Sequence, residues 1–362
     1  MAATEDAADL AWKPSGVHLV GSVPLPGTAI VFKTAVTSLP DRLYSIPDGE
    51  TGHRNGFVAW QAAVFEAWPQ IGTQSGGTLY RKGEDVPKPT QADLEALSAE
   101  IRTSTEGFDP GYEKYAIESY EIFRKLQSTG QIKHNVKFQV CVPTPLSVMN
   151  RINPDYQEVI EPLYEEALFR SLSKIQDAIP HDSLLVQWDM PREIACLEGL
   201  GGELWFGDVT KRLEARFERC LSAVADDVEV GVHLCYGDFG HKHFVEPKDT
   251  TILTDHANRL TEVASKAKRT LAYLHMPVPI ARHDEPYFAP LTGLMLTAGT
   301  KLYLGLVHAN DLEGTARRIA AARKALPGIQ FGVSSECGLG RTPPEELTSI
   351  LEISKSVSRP RR

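Results

Sequence analysis

The sequence lacks the features that would take it outside ordinary globular proteins. It holds no apolar run near the roughly 18 residues that a membrane-spanning helix needs. It has no surplus of basic residues either: 38 Lys and Arg stand against 47 Asp and Glu, a net charge of −9. A phosphate backbone is held by a basic surface, so this balance argues against nucleic acid as the main partner. Cysteine is scarce, with five residues in 362. An odd, sparse set reads as reduced thiols and not as a disulfide framework. No glycine-rich dinucleotide fingerprint and no Walker A run occurs, which weakens a nucleotide reading. The stretch Met1 to Pro14 is acidic and lacks an apolar core, so neither a signal nor a transit peptide is expected. The closing Ser-Arg-Pro-Arg-Arg carries no lipidation or peroxisomal signal. These absences leave a cytoplasmic enzyme or binding protein with a small-molecule partner and no membrane.

What is present is regular. Hydrophobic residues make up 42% and charged residues 23%, an ordinary globular balance. Short apolar runs read as strands at 16–23, 43–47, 136–142, 183–189, 228–235, 270–276, 301–307 and 329–335. Helical spacing follows at 55–68, 111–128, 155–179, 208–225, 250–267, 285–298, 311–326 and 343–354. Residues 70–110 form an excursion rich in Gly, Thr, Pro and charge, with a short helix at 90–102 opened by Thr90. Eight alternating βα units predict a parallel sheet, and without a dinucleotide fingerprint they favour a (β/α)8 TIM barrel. The expected layout is a flexible 1–14, then a single barrel over 15–357 with its insertion after the second strand.

In such a barrel the chemistry gathers at the C-terminal ends of the strands. Those ends carry Asp48 and Glu50, Asp189, His233 and Cys235, His275, His308, and Glu336 with Cys337. Residues i and i+2 of a strand face the same way, so His233 and Cys235 can converge on one soft cation. Cys337 and His275 at neighbouring strand ends complete a candidate ligand set. Cys141, Cys196 and Cys220 lie in apolar or helical contexts and read as packing. His241 and His243 are either a second metal pair or, in a polar loop, solvated or substrate-contacting. The glycines from Gly199 to Gly202 read as a loop and not a phosphate cradle.

In order along the chain, His18-Leu19-Val20-Gly21-Ser22-Val23-Pro24, Asp48-Gly49-Glu50 with Arg54-Asn55, and Val186-Gln187-Trp188-Asp189-Met190-Pro191 are followed by His233-Leu234-Cys235-Tyr236 and Glu336-Cys337-Gly338-Leu339. This series resembles the catalytic barrel of cobalamin-independent methionine synthase, in the superfamily that includes uroporphyrinogen decarboxylase and the coenzyme M methyltransferases. The resemblance implies zinc bound by His233, Cys235 and Cys337, with His275 standing where the family has a Glu ligand. It implies that Glu50 and Asp189 hold the ammonium group of an amino acid substrate, with Ser22, Asp48 and Tyr236 as further substrate contacts. The family's catalytic His falls on Asn310, and His308, two residues earlier, is the candidate proton carrier. Replacing a Glu ligand by His makes the metal site neutral, a stronger Lewis acid with a less nucleophilic thiolate.

The expected function is therefore zinc-dependent methyl or alkyl transfer on or through a thiol, without folate as donor. A zinc-dependent lyase or hydrolase on the same barrel is the alternative within enzymes. A non-catalytic binding protein is the alternative outside them.

Overall fold

The computed structural model describes residues 12–73, 88–104, 107–202, 204–237 and 242–361. The first eleven residues, much of the expected excursion and His241 lie outside the described residues. Eight strands run in chain order: β1 Val17–His18, β2 Ser45–Pro47, β3 Lys137–Pro143, β4 Leu184–Met190, β5 Glu229–Leu234, β6 Tyr273–Pro277, β7 Lys301–Val307 and β8 Phe331–Ser335. All pair in parallel, in the order β1-β8-β7-β6-β5-β4-β3-β2. A parallel bridge from Val17 to Leu43 joins the two ends and curls the sheet into a (β/α)8 barrel. Helices fill the connections, and no helix among the described residues is long and apolar enough to cross a membrane.

The strands form where apolar runs can be buried on both faces, as a helix-covered parallel sheet demands. Residues Leu184 to Met190 are all buried. The helix expected at 90–102 is present as Gln91–Thr103, held by a capping box between Thr90 and Asp93.

Three elements depart from the sequence pattern. β1 is two residues long because the chain beyond it bonds to side chains instead of a ladder. The carbonyls of Leu19 and Val20 accept from Gln139, and Val20 also accepts from Gln187 and Cys141. The stretch read as a helix at 55–68 is a 3₁₀ run, Gly52–Phe65, broken where Phe57 adopts φ +58 and ψ −118. The one read at 285–298 stops after Glu285–Phe288 and continues as a short 3₁₀ turn, because Pro290 supplies no N–H.

Two tyrosines fill the lower barrel through glycines. Gly231 of β5 lies in register with Tyr273 of β6, and Gly332 of β8 with Tyr303 of β7. A methyl on Gly231 would stand 2.2 Å from the Tyr273 ring, and one on Gly332 2.6 Å from Tyr303. Both rings are buried and cannot swing away. Gly231→Ala is expected to lower stability by about 1–3 kcal/mol through overpacking. Gly293→Ala, where a new methyl meets nothing within 4 Å, is the control. Urea unfolding midpoints measure both; equal midpoints would show that the barrel repacks freely around Tyr273.

Candidate metal centre and substrate cleft

The register of β4, β5 and β6 sets Asp189, His233 and His275 abreast. Cys235 follows β5 by one residue and Cys337 follows β8 by two. One atom each from His233, Cys235 and Cys337 lies within 4.8 Å of the others. The two sulfurs are 3.4 Å apart, and Cys337 Sγ is 3.7 Å from His233 Nε2. Neither sulfur is in a disulfide. A tetrahedral zinc with Zn–S near 2.3 Å and Zn–N near 2.0–2.1 Å has S···S edges of about 3.8 Å and N···S edges of about 3.6 Å. The donor types and the spacing therefore fit that ion. The Gly237 N–H donates to Cys235 Sγ at 3.2 Å, and the Arg341 guanidinium stands 3.9 Å from Cys337 Sγ. Both contacts favour thiolates over thiols.

His275 stands apart from this trio. It is wholly buried behind His233. Its Nε2 is 3.1 Å from the Ser335 carbonyl and its Nδ1 is 2.7 Å from His233 Nδ1. It is expected as the fourth ligand, but both its ring nitrogens lie within hydrogen-bond distance of protein partners, outside the cluster of the trio. Burial brings the His275 ring down to about 3. Burial first, then the neighbouring His275 and His18, hold His233 well below its ordinary value. Both rings are neutral at pH 7.

The trio lines one wall of a small cleft that Glu50, Asp189, Ser22, Phe57 and Arg341 also line. Glu50 sits at φ +43, a conformation a Glu adopts at a cost. The loop before it explains how it is held. Gly49, at φ +85, packs where a methyl would meet Val31 at 2.6 Å. Asp48 accepts from the Glu50 N–H at 2.9 Å, Arg54 at 2.8 Å and Ser119 at 2.9 Å. Asp48 is consequently an anchor of the loop, buried, with its carboxylate occupied, and it does not line the cleft. Burial and the Asp48 charge lift Glu50 to about 7 against the pull of Arg54 and Arg341. Asp189 is raised well above the usual carboxylate range by burial and then by Glu50, although it accepts from Gln187 at 2.7 Å.

The other expected contacts divide. Ser22 faces the cleft, and it also holds the Cys337 loop: it accepts Gly340 N–H on its hydroxyl at 3.1 Å and Leu339 N–H on its carbonyl at 2.7 Å. Tyr236 is buried outside the cleft, its hydroxyl donating to Glu198 at 2.8 Å. His308 lies in an adjoining cavity with Glu336 and Thr342, its Nε2 on the Val278 carbonyl at 2.9 Å. Burial and the Arg318 charge lower it to about 4, so it is neutral at pH 7. His243 forms ion pairs with Glu336 at 2.8 Å and Glu246 at 3.1 Å; burial lowers it, but these carboxylates lift it to about 9. Cys141, Cys196 and Cys220 are buried and free.

Sequence reasoning passed over Arg341, Phe57 and Gln187. Arg341 follows the Cys337 motif by four residues, and nothing in its local pattern marks it. Gln187 had a signal, being polar two residues before Asp189 on an otherwise apolar strand and so facing the same way.

No protein-family model and no curated protein matches this chain. Several solved structures do. One is a B12-independent methionine synthase from Shewanella sp. W3-18-1 in complex with selenomethionine, at 16% identity and a TM-score of 0.42, covering 66% of this chain and 64% of that one. The chain thus spans less than two thirds of the Shewanella enzyme's length. A putative vitamin-B12 independent methionine synthase from Listeria monocytogenes matches at 13% identity and a TM-score of 0.43, over 95% of this chain and 97% of that one. A dihydrodipicolinate synthase from Agrobacterium tumefaciens matches at 11% identity and a TM-score of 0.32, over 73% and 71%. Likeness at this level assigns no activity.

Proposed function

We propose that the chain is a zinc-dependent methyl or alkyl transferase acting on a small thiol that also carries an ammonium group. The observation that carries this reading is the convergence of His233, Cys235 and Cys337 within 4.8 Å on a cleft that also holds Glu50 and Asp189. When bound, zinc supplies a lowered pKa for a coordinated thiol. The residues of the chain do the rest. Glu50 and Asp189 pair with the ammonium group. Gly237 N–H donates to the Cys235 sulfur and Arg341 stands beside that of Cys337. In the transfer, the substrate sulfur forms a bond to the alkyl carbon while the bond from that carbon to the donor breaks. The electron pair leaves with the donor, which then takes a proton.

A lyase or hydrolase using the same ion as a Lewis acid on a carbonyl is the second reading. Its specific support is His308, which faces an adjoining cavity with its Nε2 on a carbonyl, so this residue offers the cleft no proton.

Protein purified without added zinc is expected to carry about one zinc per chain by elemental analysis, in line with a three-ligand catalytic site. The Cys235→Ser, Cys337→Ser double variant is expected to carry none while remaining folded by circular dichroism. Undiminished zinc in that variant refutes the ligand assignment. Turnover of a thiol-free substrate that depends on zinc would move the assignment to the second reading, and binding without any turnover to a non-catalytic role.

Glu50 sets a pH dependence. Its raised pKa means it is protonated below about 7 and charged above. A cation gains from the charged form, so the affinity for n-butylammonium, a probe with no thiol to ionise, should rise between pH 6 and 8. Glu50→Gln should flatten that rise. Calorimetric titration across this window checks it, and an unchanged slope in the variant would remove Glu50 from the ammonium site. The sign for stability is opposite. A carboxylate whose pKa is raised on folding loses stability as pH climbs from its unfolded value toward about 7.

A further inference from the structure

We infer that His275 is a positioning residue that fixes the tautomer of His233, leaving the metal three protein ligands and an open coordination position for substrate. The inference deepens the zinc reading and rests on it.

The hydrogens can be placed by elimination. The Ser335 carbonyl can only accept, so the 3.1 Å contact puts a hydrogen on His275 Nε2. The neutral ring then has a bare Nδ1. The 2.7 Å contact between the two Nδ1 atoms needs one hydrogen, which His233 must carry. That leaves the His233 Nε2 lone pair bare, and this is the nitrogen 3.7 Å from Cys337 Sγ. A metal-binding His commonly donates its other N–H to a carboxylate, carbonyl or water, which fixes tautomer and ring orientation. Here a second imidazole fills that place.

The arrangement closes on itself. Ser335 accepts from His275 through its carbonyl and donates through its hydroxyl to the Cys337 carbonyl at 2.8 Å. One residue of β8 therefore supports both His233, through His275, and the loop that carries Cys337. Two thiolates and one neutral imidazole balance the two positive charges of zinc, and three protein ligands with one open place is the catalytic pattern.

Cobalt substitution of the full chain separates this role from ligation. Cobalt bound to the parent protein is expected to show a thiolate charge-transfer band and visible ligand-field bands. His275→Leu should leave the band positions unchanged and weaken cobalt affinity about 10- to 100-fold, the usual cost of losing an outer partner of a ligand. His275→Asn places an amide oxygen where Nδ1 stood, so affinity should recover most of that loss with the same bands. If His275 is a ligand, both variants shift the visible bands, and the inference is overturned. Unchanged affinity in His275→Leu overturns it equally. Failure of the zinc reading gives a different result: the parent protein would show no charge-transfer band to be lost in the Cys235→Ser, Cys337→Ser variant.

Discussion

The mouth of the barrel rests on the side chain of one buried amide, Gln187. Its Oε1 accepts from His18 at 3.0 Å, Gln139 at 3.2 Å and Tyr273 at 2.7 Å. Its Nε2 donates to the Val20 carbonyl and to Asp189, both at 2.7 Å. A buried donor or acceptor left unmet costs about 1–3 kcal/mol, so each of these groups depends on the others staying in place. Through one residue of β4, the chain after β1 and strands β3 and β6 are tied together. The same amide aims Asp189 into the cleft. The ring of His18 lies between Tyr303 at 5.1 Å and His275 at 5.5 Å, which carries the packing up to the imidazole pair behind the trio. Tyr273 reaches Gln187 because Gly231 makes room for its ring. The precision of the site is thus built from below, by groups that never meet a ligand.

The loop after β2 works by a different means. There the backbone is held in costly conformations, at Glu50 and at Phe57, and both residues line the cleft. Such conformations persist when the surroundings overdetermine them. Asp48 supplies that constraint for Glu50, with three donors on one carboxylate.

The barrel was legible because its strands are apolar runs with turns between them, and period and length distinguish them from helices. The ends were less so. β1 gives up its ladder to side-chain donors that lie more than a hundred residues away in the chain, which no local window contains. Phe57 breaks a segment whose apolar spacing reads as helix. Within the site, the trio could be named because alternation along a strand brings His233 and Cys235 to one face, and Cys337 stands at another strand end. The separation of Glu50 from Asp48 was not legible. Both are acidic and two residues apart, and only the contacts of Arg54, six residues on, and Ser119, from a distant helix, show which one is occupied. His275 illustrates the same limit. Its strand and register place it beside His233, yet whether an imidazole binds a metal or supports the one that does depends on which partners its two nitrogens meet.

The charges of the cleft argue for what it should hold. Glu50 is pushed toward neutrality by burial and by the Asp48 charge, and Asp189 by burial and by Glu50. A pair of carboxylates so placed gains from a cation more than an exposed pair does, since low solvation strengthens the attraction. Arg341 acts on Glu50 and also stands 3.9 Å from the Cys337 sulfur. The cleft therefore sets two carboxyl groups beside a cluster of two sulfurs and an imidazole. Under the proposed reading, a small molecule with an ammonium group and a soft donor atom meets both. A cation would draw both carboxyl groups back toward their charged forms and a neutral carbonyl compound would not, and under the proposed reading this difference favours a cationic thiol.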